Sequence, residues 1–157
     1  MTTAVSRVAV QNFLQAFASR DPIKLEACLH DDVVWNIVGP VEFMRFCGVH
    51  RGKKAVLNLL GTVVPGVMRV TGFNPEILLI DGDRCATLGK IVGFTTDGRV
   101  VSYRCAQFVQ FAGDKAIEFR SITDTFDAAE QLVGHPLDLS QDGALPALEF
   151  SDDLVAV

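Results

Sequence analysis

The hydrophobic pattern predicts an α+β fold, a long and strongly curved antiparallel sheet with three helices of the first half on its concave face and a short helix at the end. Three observations predict it. Up to about residue 63 the apolar positions recur every three to four residues, and from 66 to 127 they alternate. The alternating half is cut at "DGD", "TDGR" and "AGDK", where Gly and Asp suit hairpin turns. After residue 127 a helical signal returns.

The elements follow in order. Val10, Phe13, Leu14 and Phe17 give the first helix one apolar face. "SRDP" ends it, and Asp21 with Pro22 forms an N-cap and first-turn pair for a short second helix carrying Leu25, Cys28 and Leu29. The opening strand, about 32–38, stops at "GP". "VEFMRFCGVHRG" is too rich in large apolar groups to wave in solvent and is expected to fold over the core as an irregular connection. A third helix is expected over 52–63, with Val56, Leu59, Leu60 and Val63 on one side and "VPG" at its end. Four long strands follow, over 66–83, 84–99, 100–115 and 116–127, the first bent near Gly72 or Pro75 because proline donates nothing to a ladder. Asp127 and Glu130 have capping-box-like spacing for a last helix over 127–133. Residues 1–133 read as one domain, and 134–157 as a tail that docks on the domain or on a partner.

Composition narrows the function. The chain has 157 residues, 49% of them hydrophobic, with a net charge of −5 and a pI near 5.1. That is enough chain for a real core, and it lacks the clustered Lys and Arg of a nucleic-acid surface. No stretch is apolar for the length a bilayer crossing needs, and the N-terminus has no signal-peptide pattern, so a cytoplasmic location is expected. The four cysteines are isolated and the three histidines do not pair at ligand spacing. With no Gly-rich phosphate loop either, neither metal nor cofactor is expected.

Alternation also selects candidate site residues. On the strand 100–112, Tyr103, Cys105, Gln107, Val109 and Phe111 form the more apolar face, so Tyr103 and Gln107 stand as polar groups on a greasy wall. On the closing strand Arg120, Ile122 and Asp124 share a face if no bulge intervenes. There Asp124 is a candidate general base, with Arg120 beside it to hold it ionised. Asn36 is an amide inside the apolar stretch "DDVVWNIVG", and such a group needs partners or a pocket. Asn36 is expected to face the cavity, with Trp35 pointing away from it into helix packing or a dimer surface. Val34 and Phe17 are expected as apolar lining. The outer sheet face, with Ala106 and Phe108, is expected to pair two copies of the chain.

Three local patterns, "FLQAFASRDPIKLEACLHDDVVW", "GVHRGKKAVLNLL" and "IEFRSITDT", occur in the order and spacing of a known family. Over about residues 5–133 the chain resembles the SnoaL-like and ketosteroid-isomerase-like proteins of the NTF2-like, cystatin-like α+β cone fold. The limonene-epoxide-hydrolase group is a close relative of that family. The resemblance implies a cone enclosing a pocket. In the isomerases the position matching Asn36 is the aspartate that moves the proton, and Gln107 falls near a second, protonated acid. Here both are amides, with no proton to exchange near neutral pH. In the epoxide hydrolases an asparagine matching Asn36 holds a water that an aspartate matching Asp124 activates. Their Arg-x-Asp pair has no match in "TLGKIVG", where Lys90 is the one charged residue, so the acid that would protonate an epoxide oxygen is either missing or supplied by Tyr103.

Two functions are therefore expected in competition. One is a cofactor-free hydrolase, cyclase or isomerase acting on a hydrophobic, oxygenated small molecule. The other is a binding or assembly module that keeps the cavity without catalysis. Convergence of Asn36, Tyr103, Gln107 and Asp124 on one cavity would favour the first.

Overall fold

A computed structural model describes residues 4–138 of the chain. Most of the proposed tail, 139–157, lies outside the described residues, as do residues 1–3. The order is α1 (Arg7–Ser19), α2 (Pro22–Cys28), β1 (Leu29–Val38), β2 (Gly48–Arg51), α3 (Lys53–Asn58), β3 (Met68–Asp81), β4 (Arg84–Thr95), β5 (Val100–Ala112), β6 (Lys115–Thr123) and α4 (Thr125–Val133). A π-helical stretch, Leu59–Val63, continues α3. Among the described residues no helix is long and apolar enough to cross a membrane.

The six strands form one open, curved sheet in the order β2-β1-β6-β5-β4-β3. All neighbours are antiparallel except β1 and β6, which run parallel, so the sheet is mixed and not wholly antiparallel. The reason is chain length: the closing strand returns beside the opening one after a long excursion, and only such a connection permits a parallel pair. β2 is a further difference, because part of the expected irregular connection extends and pairs with β1, Val34 opposite Arg51 through Ile37 opposite Gly48.

Local chemistry starts the helices. The Ser6 hydroxyl accepts the Ala9 amide at 3.1 Å and caps α1. Asp21 accepts from Ile23 and Lys24, with Pro22 at the first helical position of α2. The inner face of α1 buries Val10, Phe13 and Phe17 against Trp35, Phe111, Phe119 and Phe73. The Trp35 and Phe119 rings stack at 3.7 Å on the adjacent strands β1 and β6.

Curvature has an identifiable source. The register between β3 and β4 slips at Val70/Gly72 and at Pro75/Ile77, which are β-bulges. Across from them on β4 sit Gly93, paired with Val70, and Gly89, paired with Pro75. Both glycines are buried, and the bulged backbone of β3 occupies the space a side chain would need. The bend expected near Gly72 or Pro75 thus depends on two glycines of the neighbouring strand.

Candidate ligand site

The cavity lies between α1, the π-helical turn and the inner face of the sheet. It is small: the centre of a water molecule can occupy about 40 Å³ of it, within about 430 Å³ of space between atoms that includes open solvent at the mouth. Phe17 comes from α1, Leu60 from the π-helical turn and Val64 from the residue after it, while Met68, Val70 and Ile91 come from β3 and β4. Trp35 and Ile37 of β1 and Phe119 of β6 complete the apolar wall, with Phe46 from the connection before β2. The π-helical turn and the residue that caps it thus place Leu60 and Val64 on the cavity wall.

Six lining residues carry polar atoms other than sulfur: Arg20, Trp35, Tyr103, Gln107, Ser121 and Thr123. Tyr103 and Gln107 are buried on the inner face of β5, on which Val101, Cys105, Val109 and Phe111 are also buried. The Tyr103 hydroxyl donates to the Met68 sulfur at 3.5 Å, and burial pushes its pKa far up, with the Cys105 and Cys47 thiols adding to the rise. It can therefore donate a hydrogen bond at neutral pH and is a poor source of a proton. Gln107 accepts a long hydrogen bond from Thr87 at 3.4 Å and donates to the Cys105 sulfur at 3.8 Å. The Cys105 and Cys47 thiols are pushed up to about 11, mainly by burial, and stay protonated at neutral pH. Among the described residues the lining contains no carboxylate and no imidazole.

The remaining candidates lie elsewhere. Phe17 lines the cavity. Asn36 and Val34 do not: β1 turns Val33, Trp35 and Ile37 inward, so both fall on the opposite side of the strand, half-buried. Trp35 is 0% exposed, and placing the largest side chain of the strand in the core sets the strand's parity against Asn36. β6 behaves the same way. Phe119 goes inward, and with it Ser121 and Thr123, so Arg120 and Ile122 face outward. Arg120 is exposed and pairs with Glu118 at 3.2 Å. Asp124 is exposed and caps α4, accepting the Asp127 amide at 3.3 Å, the task expected of Asp127. Sequence reasoning missed Arg20, Ser121 and Thr123. For the last two a signal existed, because Phe119 had to be buried and residues two apart share a face. Lys90 is exposed on β4 and does not line the cavity.

An open, curved sheet holding an apolar cavity under its helices defines a class, the NTF2-like pocket folds. The chain is similar, at 26% identity and a TM-score of 0.72, to a proposed isomerase from Rhodopseudomonas palustris, with 81% of this chain and 97% of that one covered. It is similar in fold to an NTF2-like protein from Burkholderia xenovorans (22% identity, TM-score 0.67, 80% and 93% covered). The same holds for TerC co-crystallised with polyporic acid (20% identity, TM-score 0.72, 80% and 96% covered). Further neighbours have ketosteroid isomerase-like and cystatin-like folds. No curated protein matches the chain significantly. The SnoaL-like domain family matches residues 10–119, and the chain belongs to that family.

Proposed function

We propose that this chain is a small-molecule-binding member of the SnoaL-like family, whose cavity takes a mainly apolar ligand bearing oxygen acceptors. The observation that carries this reading is the lining itself: aromatic and aliphatic walls, a few buried donors, and neither carboxylate nor imidazole. Such a make-up suits binding and orientation. Proton abstraction needs a base within reach of the substrate, and Asp124 is engaged in capping α4 outside the cavity. The TerC neighbour, co-crystallised with polyporic acid, supports the idea that this architecture accommodates an oxygenated aromatic molecule.

The test uses neutral aromatic ketones of graded size, followed by calorimetry and by the emission of Trp35, the one tryptophan of the chain and part of the wall. Micromolar binding is expected, unchanged in Asp124→Ala and reduced at least tenfold in Val64→Phe, which fills the space. Turnover of enones or epoxides that disappears in Asp124→Ala would instead restore acid–base catalysis.

The same reading includes a homodimer formed through the outer sheet face. Phe108, Ile122 and Leu79 are 49%, 47% and 65% exposed there, clustered around the Arg120–Glu118 pair, an apolar patch with a polar centre that a second copy could cover. Sedimentation at micromolar concentration is expected to give a dimer, and Phe108→Asp a monomer with intact ligand affinity. A wild-type monomer under those conditions would remove the dimer.

A further inference from the structure

α1 ends at Arg20 in the left-handed conformation, with φ 56°. Among the described residues it is the one non-glycine residue with positive φ. Glycine or asparagine is the usual occupant of such a cap, so an arginine keeps a strained backbone there for the sake of its side chain. That side chain turns over the Phe17 ring, with the guanidinium carbon 4.2 Å from the centroid, and lines the cavity. Its Nε and Nη1 are buried and find no acceptor among the described residues. None of the ion pairs among the described residues involves it.

Trp35, with its ring centroid 5.8 Å from that of Phe17, lines the same cavity, and its Nε1 is likewise buried without an acceptor among the described residues. One cavity therefore has three buried nitrogen donors with nothing among the described residues to receive them. The acidic groups whose field acts on Arg20 are Tyr103 and Cys105, and burial keeps both neutral. Burial pushes Arg20 itself down to about 10, so it stays cationic at neutral pH. The residue is half-buried, and a cation with two of its three nitrogens shut away from water is costly unless something pairs with it.

We propose that Arg20 is an anion subsite of the cavity, and that the ligand is an apolar carboxylic acid bound as its carboxylate, with its hydrocarbon part against Phe17 and Trp35 and its oxygens within reach of the buried donors of Arg20 and Trp35. This rests on the pocket reading above and narrows its ligand class. A guanidinium suits a carboxylate because planar, charge-assisted hydrogen bonds match it. The greasy remainder of the wall suits a ligand with a single charged end.

The test compares benzoate, 1-naphthoate and biphenyl-4-carboxylate with their neutral amides by calorimetry on the full chain. The best carboxylate is expected to bind at least tenfold more tightly than its amide. Arg20→Met should abolish that preference while leaving amide affinity within about twofold, and Arg20→Lys should retain part of it. Equal affinity of wild type for each carboxylate and its amide would overturn the anion subsite and leave the pocket reading standing. A carboxylate preference that survives in Arg20→Met, with amide binding intact, would also overturn it by placing the subsite elsewhere. Binding of neither series, nor of the neutral ketones, would remove both readings. Because the first comparison needs no variant, it stands even if Arg20→Met folds poorly.

Discussion

Replacing Trp35 by alanine is expected to cost about 4 kcal/mol of folding stability, the range for deleting a large buried aromatic. Trp35 is fully buried, stacks on Phe119 at 3.7 Å, and meets Phe13 and Phe17 of α1 at ring-centroid distances of 6.3 and 5.8 Å. It therefore joins the first helix to the two strands that run parallel, and its loss opens a hole that these three ring neighbours cannot all collapse into. For a chain of this length the loss corresponds to a fall in Tm of roughly 8–16 °C. Urea titration by far-UV circular dichroism measures it, because the variant has no tryptophan to report by emission. Trp35→Phe keeps most of the ring volume and is expected to lose about 1–2 kcal/mol. A Trp35→Ala loss below about 1 kcal/mol would mean that the aromatic cluster does not hold helix to sheet.

Gly89→Ala is expected to cost about 3 kcal/mol, an unusually large penalty for adding one methyl group. A Cβ at residue 89 would lie 2.9 Å from the Pro75 Cα and closer still to the Asn74 carbonyl oxygen. Both obstacles are backbone of the bulged strand β3, which cannot turn aside as a side chain can. Relief would require the bulge at Pro75/Ile77 to shift, flattening the sheet where it curves over the cavity. Gly72→Ala is the matched control: it lies at the other bulge of β3, and a Cβ there meets nothing within 4 Å. That control should stay within about 0.5 kcal/mol of wild type. Equal midpoints for the two variants would show that close strand approach at Gly89 does not set the curve.

Several features were legible before any coordinates, and for local reasons. The helix-to-strand change of period, the Asp21–Pro22 start of α2 and the inward face of β5 depend on residues a few positions apart. On β5 the alternation is one-sided, because Phe111, Val109 and Cys105 all fall on one parity. On β1 and β6 both parities carry apolar groups, and the choice between them needs a neighbour. Trp35 and Phe119 make that choice for each other by stacking across adjacent strands, which carries Asn36, Arg120 and Val34 away from the cavity. A single-residue change of parity exchanges every side chain between faces, so a small misjudgement displaces a whole candidate site.

The sequence by itself determined the α+β order, the SnoaL-like likeness and two polar groups of the wall, Tyr103 and Gln107. Only the tertiary structure decided that Asp124 caps a helix, that Ser121 and Thr123 face inward, and that Arg20 enters the cavity. The physical reason is range. Periodicity and capping are set within one or two turns of chain, whereas the direction of a side chain on a two-sided strand, or at the end of a helix, depends on what packs against it from residues far away in sequence.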